Sequence, residues 1–218
     1  MNERTGKRRP RNQAFKRRVP ELGYYLIVTD AEATEQNYIE GLKKAIPTEL
    51  RERLVIKISE SKTGALVEEA RRLASHQALY SEPWIMFDRD LVQTFDQIIK
   101  TAQECGVRTA WSNPCIEIWF SAYFGTMPHY QNSTECCSGF GRNFQNKTGQ
   151  KYQKNDREIY SKLCAFGDEK LAIETAGREY FALLKRGTSL PSEMSPATTA
   201  FMLIEEIQDK CVKNTRQS

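Results

Sequence analysis

Three groups of acidic residues stand where short apolar runs end. Asp30 closes Tyr24–Thr29 and is followed by Glu32 and Glu35, Asp88 and Asp90 come directly after Pro83–Phe87, and Glu117 follows Val107–Trp111 and Pro114. Carboxylates converging on one edge repel one another at neutral pH, and a divalent cation relieves that repulsion. Hard oxygen ligands of this kind select Mg²⁺ or Mn²⁺ over softer metals. In extended chain, residues i and i+2 face the same side, so Asp88 and Asp90 are expected to share one ion, with Arg89 turned toward solvent or a phosphate. On this reading Asp30, Glu32, Glu35, Asp88, Asp90 and Glu117 line one cation-binding edge. A lone D-x-D after a strand also serves as a helix cap with a surface charge. The joint placement of three groups is what points to a site.

The elements that would position these residues follow from periodicity. Tyr24–Thr29 is rich in β-branched and aromatic residues and reads as a buried strand, and Leu54–Ser59, Pro83–Phe87 and Val107–Trp111 supply three more. Helical spacing runs through Asn37–Leu54 after an N-cap at Thr34, with Pro47 dividing it, then through Gly64–Tyr80, Leu91–Cys105 and Cys115–Phe124. Strands alternating with helices predict an α/β fold with a mainly parallel twisted sheet, helices on its faces, and a C-terminal helical extension. Ligands of such sheets sit beyond the carboxyl ends of the strands, where the acidic groups fall. The expected organisation is a basic flexible arm over 1–20, an α/β core over 21–125, a polar loop or insertion over 126–155, and a helical part over 156–212 packed on the core.

Hydrophobic residues make up 39% and charged residues 28% of the 218, a globular profile with no apolar run long enough to span a membrane. A cytoplasmic location is the expectation. The six cysteines are scattered, C-x-x-C is absent, and the two histidines, His76 and His129, lie far apart, so neither a structural zinc site nor a cysteine nucleophile is expected. No phosphate-loop lysine motif is present, so the chain would not hydrolyse ATP alone. Residues 1–18 carry a net +7, which leaves −3 on the rest. Arg8, Arg9, Arg11, Lys16, Arg17 and Arg18 either neutralise nucleic-acid phosphates or form a solvated tail. Lys151 and Lys154 around Tyr152 suit phosphates and stacked bases, or a solvated loop. Asn113 would orient Glu117 or cap the following helix, and Trp119, Phe120 and Phe124 read as core.

These segments carry a family resemblance. A strand, an acidic loop, a helix and then a hydrophobic strand ending in D-x-D resembles the TOPRIM domain, and within that group the chain is similar to RloB-like proteins. The resemblance rests on the basic arm, Asp30–Tyr38, Phe87–Asp90, the S-N-P-C-x-E-x-W stretch Ser112–Trp119, Tyr152–Asp156 and Pro196–Thr199, threading about residues 8–208. It implies Mg²⁺ on Asp88 and Asp90 with Asp30 beside them, acid/base chemistry at Asp30 with Glu32, Glu35 and Glu117 as further catalytic candidates, and metal-dependent cleavage of phosphodiesters in RNA or DNA. It further implies an anti-phage abortive-infection role beside an ABC-type ATPase, and transfer RNA as one target by analogy with the nuclease subunit of the PARIS system. Two positions depart from the pattern: Asp30-Ala31 replaces Glu-Gly, and Tyr123 replaces a histidine. The shorter acid leaves a second reading, a catalytically weak module that binds nucleic acid or regulates the ATPase.

Overall fold

The computed structural model describes residues 23–30, 33–51, 54–76 and 83–215. Strand β1 (Gly23–Asp30) leads into helix α1 (Ala33–Ala45), β2 (Leu54–Ser61), α2 (Leu66–Ser75), β3 (Trp84–Asp88), α3 (Phe95–Glu104) and β4 (Arg108–Asn113). Helices α4 (Glu117–Ala122), α5 (Ser133–Thr148), α6 (Ile159–Phe166) and α7 (Glu169–Lys185), the two-residue strand β5 (Ala197–Thr198) and α8 (Ala200–Thr215) follow. The sheet has the order β2-β1-β3-β4-β5, with β1 to β4 parallel and β5 antiparallel. The chain leaves β1 toward β2 on one side and returns to β3 on the other. That divergence opens a crevice beyond the carboxyl ends of β1 and β3.

Both faces of the sheet are covered. Tyr25, Ile27, Trp84 and Met86 pack with residues of α1, α4, α5, α6 and α8. Leu26, Val28, Ile85 and Phe87 point the other way, against α2 and α3. Strand side chains alternate between faces, so this parity also assigns a face to the acidic residues at the strand ends. No helix among the described residues is long and apolar enough to cross a membrane.

The α/β architecture agrees with the sequence, and three local features differ. Helix α1 begins at Ala33, which places Thr34 inside the first turn, where its hydroxyl donates to the Lys154 carbonyl at 2.9 Å instead of capping. Helix α1 does end ahead of Pro47, which opens a separate 3-10 turn over Thr48–Leu50. Asn113 caps no helix: its side-chain amide donates to the carbonyls of Pro191 and Ser192, both at 3.1 Å.

The largest correction concerns 126–155, where the expected polar loop contains the 16-residue helix α5. Asn132 caps it by accepting from the Glu135 N–H, while the Glu135 carboxylate accepts from the Gln131 N–H, and Gly149 ends it in the left-handed conformation at φ 72°. Cys136, Phe140 and Phe144 recur every four residues and are buried. Gly139 allows the helix to approach Tyr130, which an added Cβ would strike. Phe140 meets Tyr152 edge-on at 4.7 Å between centroids and packs on Phe120 and Phe144 at 5.7 and 5.6 Å.

If α5 is part of the core, Phe140→Ala will cost about 3–5 kcal/mol. Urea unfolding should show this as a lower midpoint with an unchanged slope, and a midpoint equal to wild type would return residues 126–155 to the surface.

Candidate metal centre

The centre is built from the ends of β1 and β3 and the starts of α1 and α4. Asp88 shares its parity with Trp84 and Met86, so its carboxylate falls on the side of the sheet that α1 and α4 cover. Glu35, in the first turn of α1, is 2% exposed, and Glu117, the first residue of α4, is 1% exposed. Burial pushes the Asp88 carboxyl well above its ordinary range, and the negative charges of Glu35 and Glu117 push it further. The backbone N–H of Ile116 and the positive charge of Lys154 act in the opposite direction without reversing the shift.

Local contacts hold these groups. The Thr34–Lys154 hydrogen bond ties the segment after α5 to the start of α1 and so brings the Lys154 charge to Asp88. Tyr152, two residues earlier, donates its hydroxyl to Glu117 Oε1 at 2.9 Å while its ring rests on Phe140 and Phe144. The second oxygen, Glu117 Oε2, is buried and finds no hydrogen-bond partner among the described residues. Leaving a buried carboxylate oxygen unsatisfied is costly, and a cation would satisfy it. Two buried carboxylates and one half-buried one, with a lysine at their edge, could hold a hard divalent ion.

The other residues expected at the site are placed differently. Asp30 shares its parity with Leu26 and Val28, and its carboxylate accepts from the Thr63 hydroxyl beside β2. The β1 residue on the Asp88 side is Thr29, which is fully buried. Strand β3 ends at Asp88, and Asp90 adopts a positive φ of 29°. The i, i+2 rule needs extended backbone, so it does not carry Asp90 to the side of Asp88. Asp90 is exposed, its carboxylate accepts from the Ser133 hydroxyl, and its N–H donates to the Pro114 carbonyl at 3.0 Å. The Arg89 guanidinium donates to the carbonyls of Asp90 and Val92 and lies 6.0 Å over the Phe95 ring, so it braces its own turn. Lys151 and Lys154 are exposed. Glu32 and the arm residues Arg8, Arg9, Arg11, Lys16, Arg17 and Arg18 lie outside the described residues.

Several residues near the centre are placed in ways the sequence did not foresee. Tyr152 holds Glu117 and packs on the α5 aromatics, so it is not an open stacking platform. Tyr123 is 1% exposed and its hydroxyl bonds to that of Tyr38 at 2.8 Å and to Glu169 Oε1 at 2.9 Å. Cys115 and Cys137, 22 residues apart, bring their sulfurs to 3.9 Å. The aromatic spacing Phe140–Phe144 was the one signal that would have revealed Tyr152's setting.

A family model described as RloB-like protein matches residues 25–207. No curated protein and no solved structure matches the chain.

The raised carboxyl of Asp88 has a thermodynamic consequence. A folded-state value above the unfolded one means that the native state binds more protons between the two, so stability falls as pH rises through that window. In EDTA, Asp88→Asn should therefore melt higher than wild type at pH 7 to 8, by roughly 2–4 °C per kcal/mol of relieved repulsion. The gap should close below about pH 4, where the unfolded carboxyl is protonated too. A variant that melts lower than wild type at neutral pH would contradict the electrostatic reading.

Proposed function

We propose, from the premise that the chain belongs to the RloB-like protein family, that Asp88, Glu35 and Glu117 hold a divalent cation in a nuclease centre that cleaves phosphodiesters of RNA or DNA. The observation that carries this reading is the convergence of three carboxylates at the crevice between β1 and β3, Glu35 and Glu117 buried and Asp88 half-buried, with Asp88 driven toward its neutral form by desolvation and by the other two. Mg²⁺ or Mn²⁺ bound there would polarise a phosphate and stabilise the leaving oxygen.

The chain's own residues then have distinct tasks. Lys154, exposed at the edge of the cluster, attracts a phosphate toward the carboxylates. Tyr152 orients Glu117 through its 2.9 Å hydrogen bond. Glu35 is the acidic residue of the α1 start that lies with Asp88, so proton transfer is assigned there and not to Asp30, whose carboxylate is engaged by Thr63 on the opposite face. The basic arm adds sequence-independent affinity for nucleic acid. An ABC-type ATPase partner, an anti-phage setting and transfer RNA as a target belong to the same proposal and rest on the resemblance alone. The position of Asp30 favours one second reading, a module of weak catalytic power that binds nucleic acid.

Cleavage of total tRNA and of plasmid DNA, resolved on denaturing gels with Mg²⁺ or Mn²⁺ and the ATPase partner present, separates these readings. Glu35→Gln should lose activity on the order of 10²–10⁴-fold while keeping nucleic-acid binding. Asp30→Asn should stay near wild type. The reverse ranking would return the acid/base role to Asp30, and no cleavage by wild type under any condition would favour the weak module.

Salt dependence tests the arm. Deleting residues 1–18 should flatten the slope of log K against log salt by about 0.9 for each DNA phosphate that the arm neutralises. Identical slopes would show a solvated tail.

A further inference from the structure

We infer that Cys115, Cys137 and Glu117 form a second cation site, one for a thiophilic divalent ion of the zinc class. Their ligand atoms all lie within 4.8 Å of one another. The separation of the two sulfurs is informative. Two thiolates bound to one tetrahedral Zn²⁺ at about 2.3 Å stand about 3.8 Å apart, and Cys115 and Cys137 stand at 3.9 Å. All the described cysteines are free thiols.

The buried carboxylate beside the two sulfurs adds a second observation to their spacing. Glu117 is 1% exposed, and its Oε2 has no hydrogen-bond partner among the described residues. With one oxygen held by Tyr152, this carboxylate offers the other to a cation beside the two sulfurs, one of which, on Cys137, lies against it. Soft sulfur ligands select zinc-like ions against Mg²⁺, so this site is chemically distinct from the oxygen set of Asp88 and Glu35 although Glu117 belongs to both. Three protein ligands leave a fourth tetrahedral position, and Cys137, which is only partly buried, opens it to water. Binding converts both thiols to thiolates and releases two protons to solvent.

The fold gives such an ion a task. Cys115 and Glu117 belong to the approach and first turn of α4, and Cys137 to α5. Beyond the Phe120–Phe140 packing, this corner of the two helices is held by weak thiol contacts and by the small apolar cluster of Cys115, Ile118 and Cys136. A cation here clamps α5 to α4 and fixes the orientation of Glu117 toward Asp88.

The experiment is anaerobic titration of the reduced full chain with Co²⁺, a spectroscopic substitute for zinc. One equivalent should produce thiolate-to-cobalt charge-transfer absorption, and Zn²⁺ should abolish it stoichiometrically while excess Mg²⁺ does not. Cys137→Ser, at a partly buried position where the fold is retained, should lose the band and at least tenfold in affinity. Cys164→Ser, at an exposed cysteine elsewhere, and Asp88→Asn should both keep it. Because Asp88→Asn removes the magnesium site, a retained band there separates this inference from the nuclease reading. Absence of the band in wild type, its survival in Cys137→Ser, or its displacement by Mg²⁺ would each overturn the site.

Discussion

Enclosing several like charges at one point is the constraint around which the rest of the protein is arranged. The half-buried Asp88 and the buried Glu35 and Glu117 are brought together, with one lysine and one backbone N–H as opposing influences. Desolvation of each ionised carboxylate costs several kcal/mol, and mutual repulsion adds to it. A sequence that only had to fold would be more stable with neutral side chains at these positions. On the proposed reading, the arrangement is a place reserved for positive charge.

Every neighbouring element contributes to holding that arrangement. The divergence of the chain on either side of β1 opens the crevice, and the alternation of β3 turns Asp88 into it. The start of α1 delivers Glu35, and Thr34 beside it anchors Lys154. Glu117 is set by α4 and oriented by Tyr152, whose ring is in turn fixed by the aromatic stripe of α5. Helix α5 is thus part of the site's support, which explains why a segment of polar composition is so well packed. Chains of orienting contacts of this sort hold carboxylates in one geometry.

The parallel sheet was legible because its strands are short β-branched runs alternating with amphipathic helices. Asp88, Glu35 and Glu117 were legible because they follow those runs. The face taken by Asp30 was not. A strand buried on both sides is apolar throughout, so Tyr24–Thr29 gives no inside–outside signal from which parity is read. The turn at Asp90 was hidden because an aspartate, not glycine, adopts the positive φ. In α5 the glycines, asparagines and threonines obscured an apolar stripe of Cys136, Phe140 and Phe144. The pairing of Cys115 with Cys137 is purely tertiary, and no spacing rule anticipates it.

The central claim is that the three carboxylates share a hard divalent ion. Anomalous diffraction from crystals of the full chain grown with Mn²⁺ tests it most directly. A single strong manganese peak is expected within coordinating distance, about 2.0–2.6 Å, of oxygens from Asp88, Glu35 and Glu117. A peak on Asp30 or Asp90 that leaves those three carboxylates unligated, or no peak at a manganese concentration that supports cleavage, would contradict it.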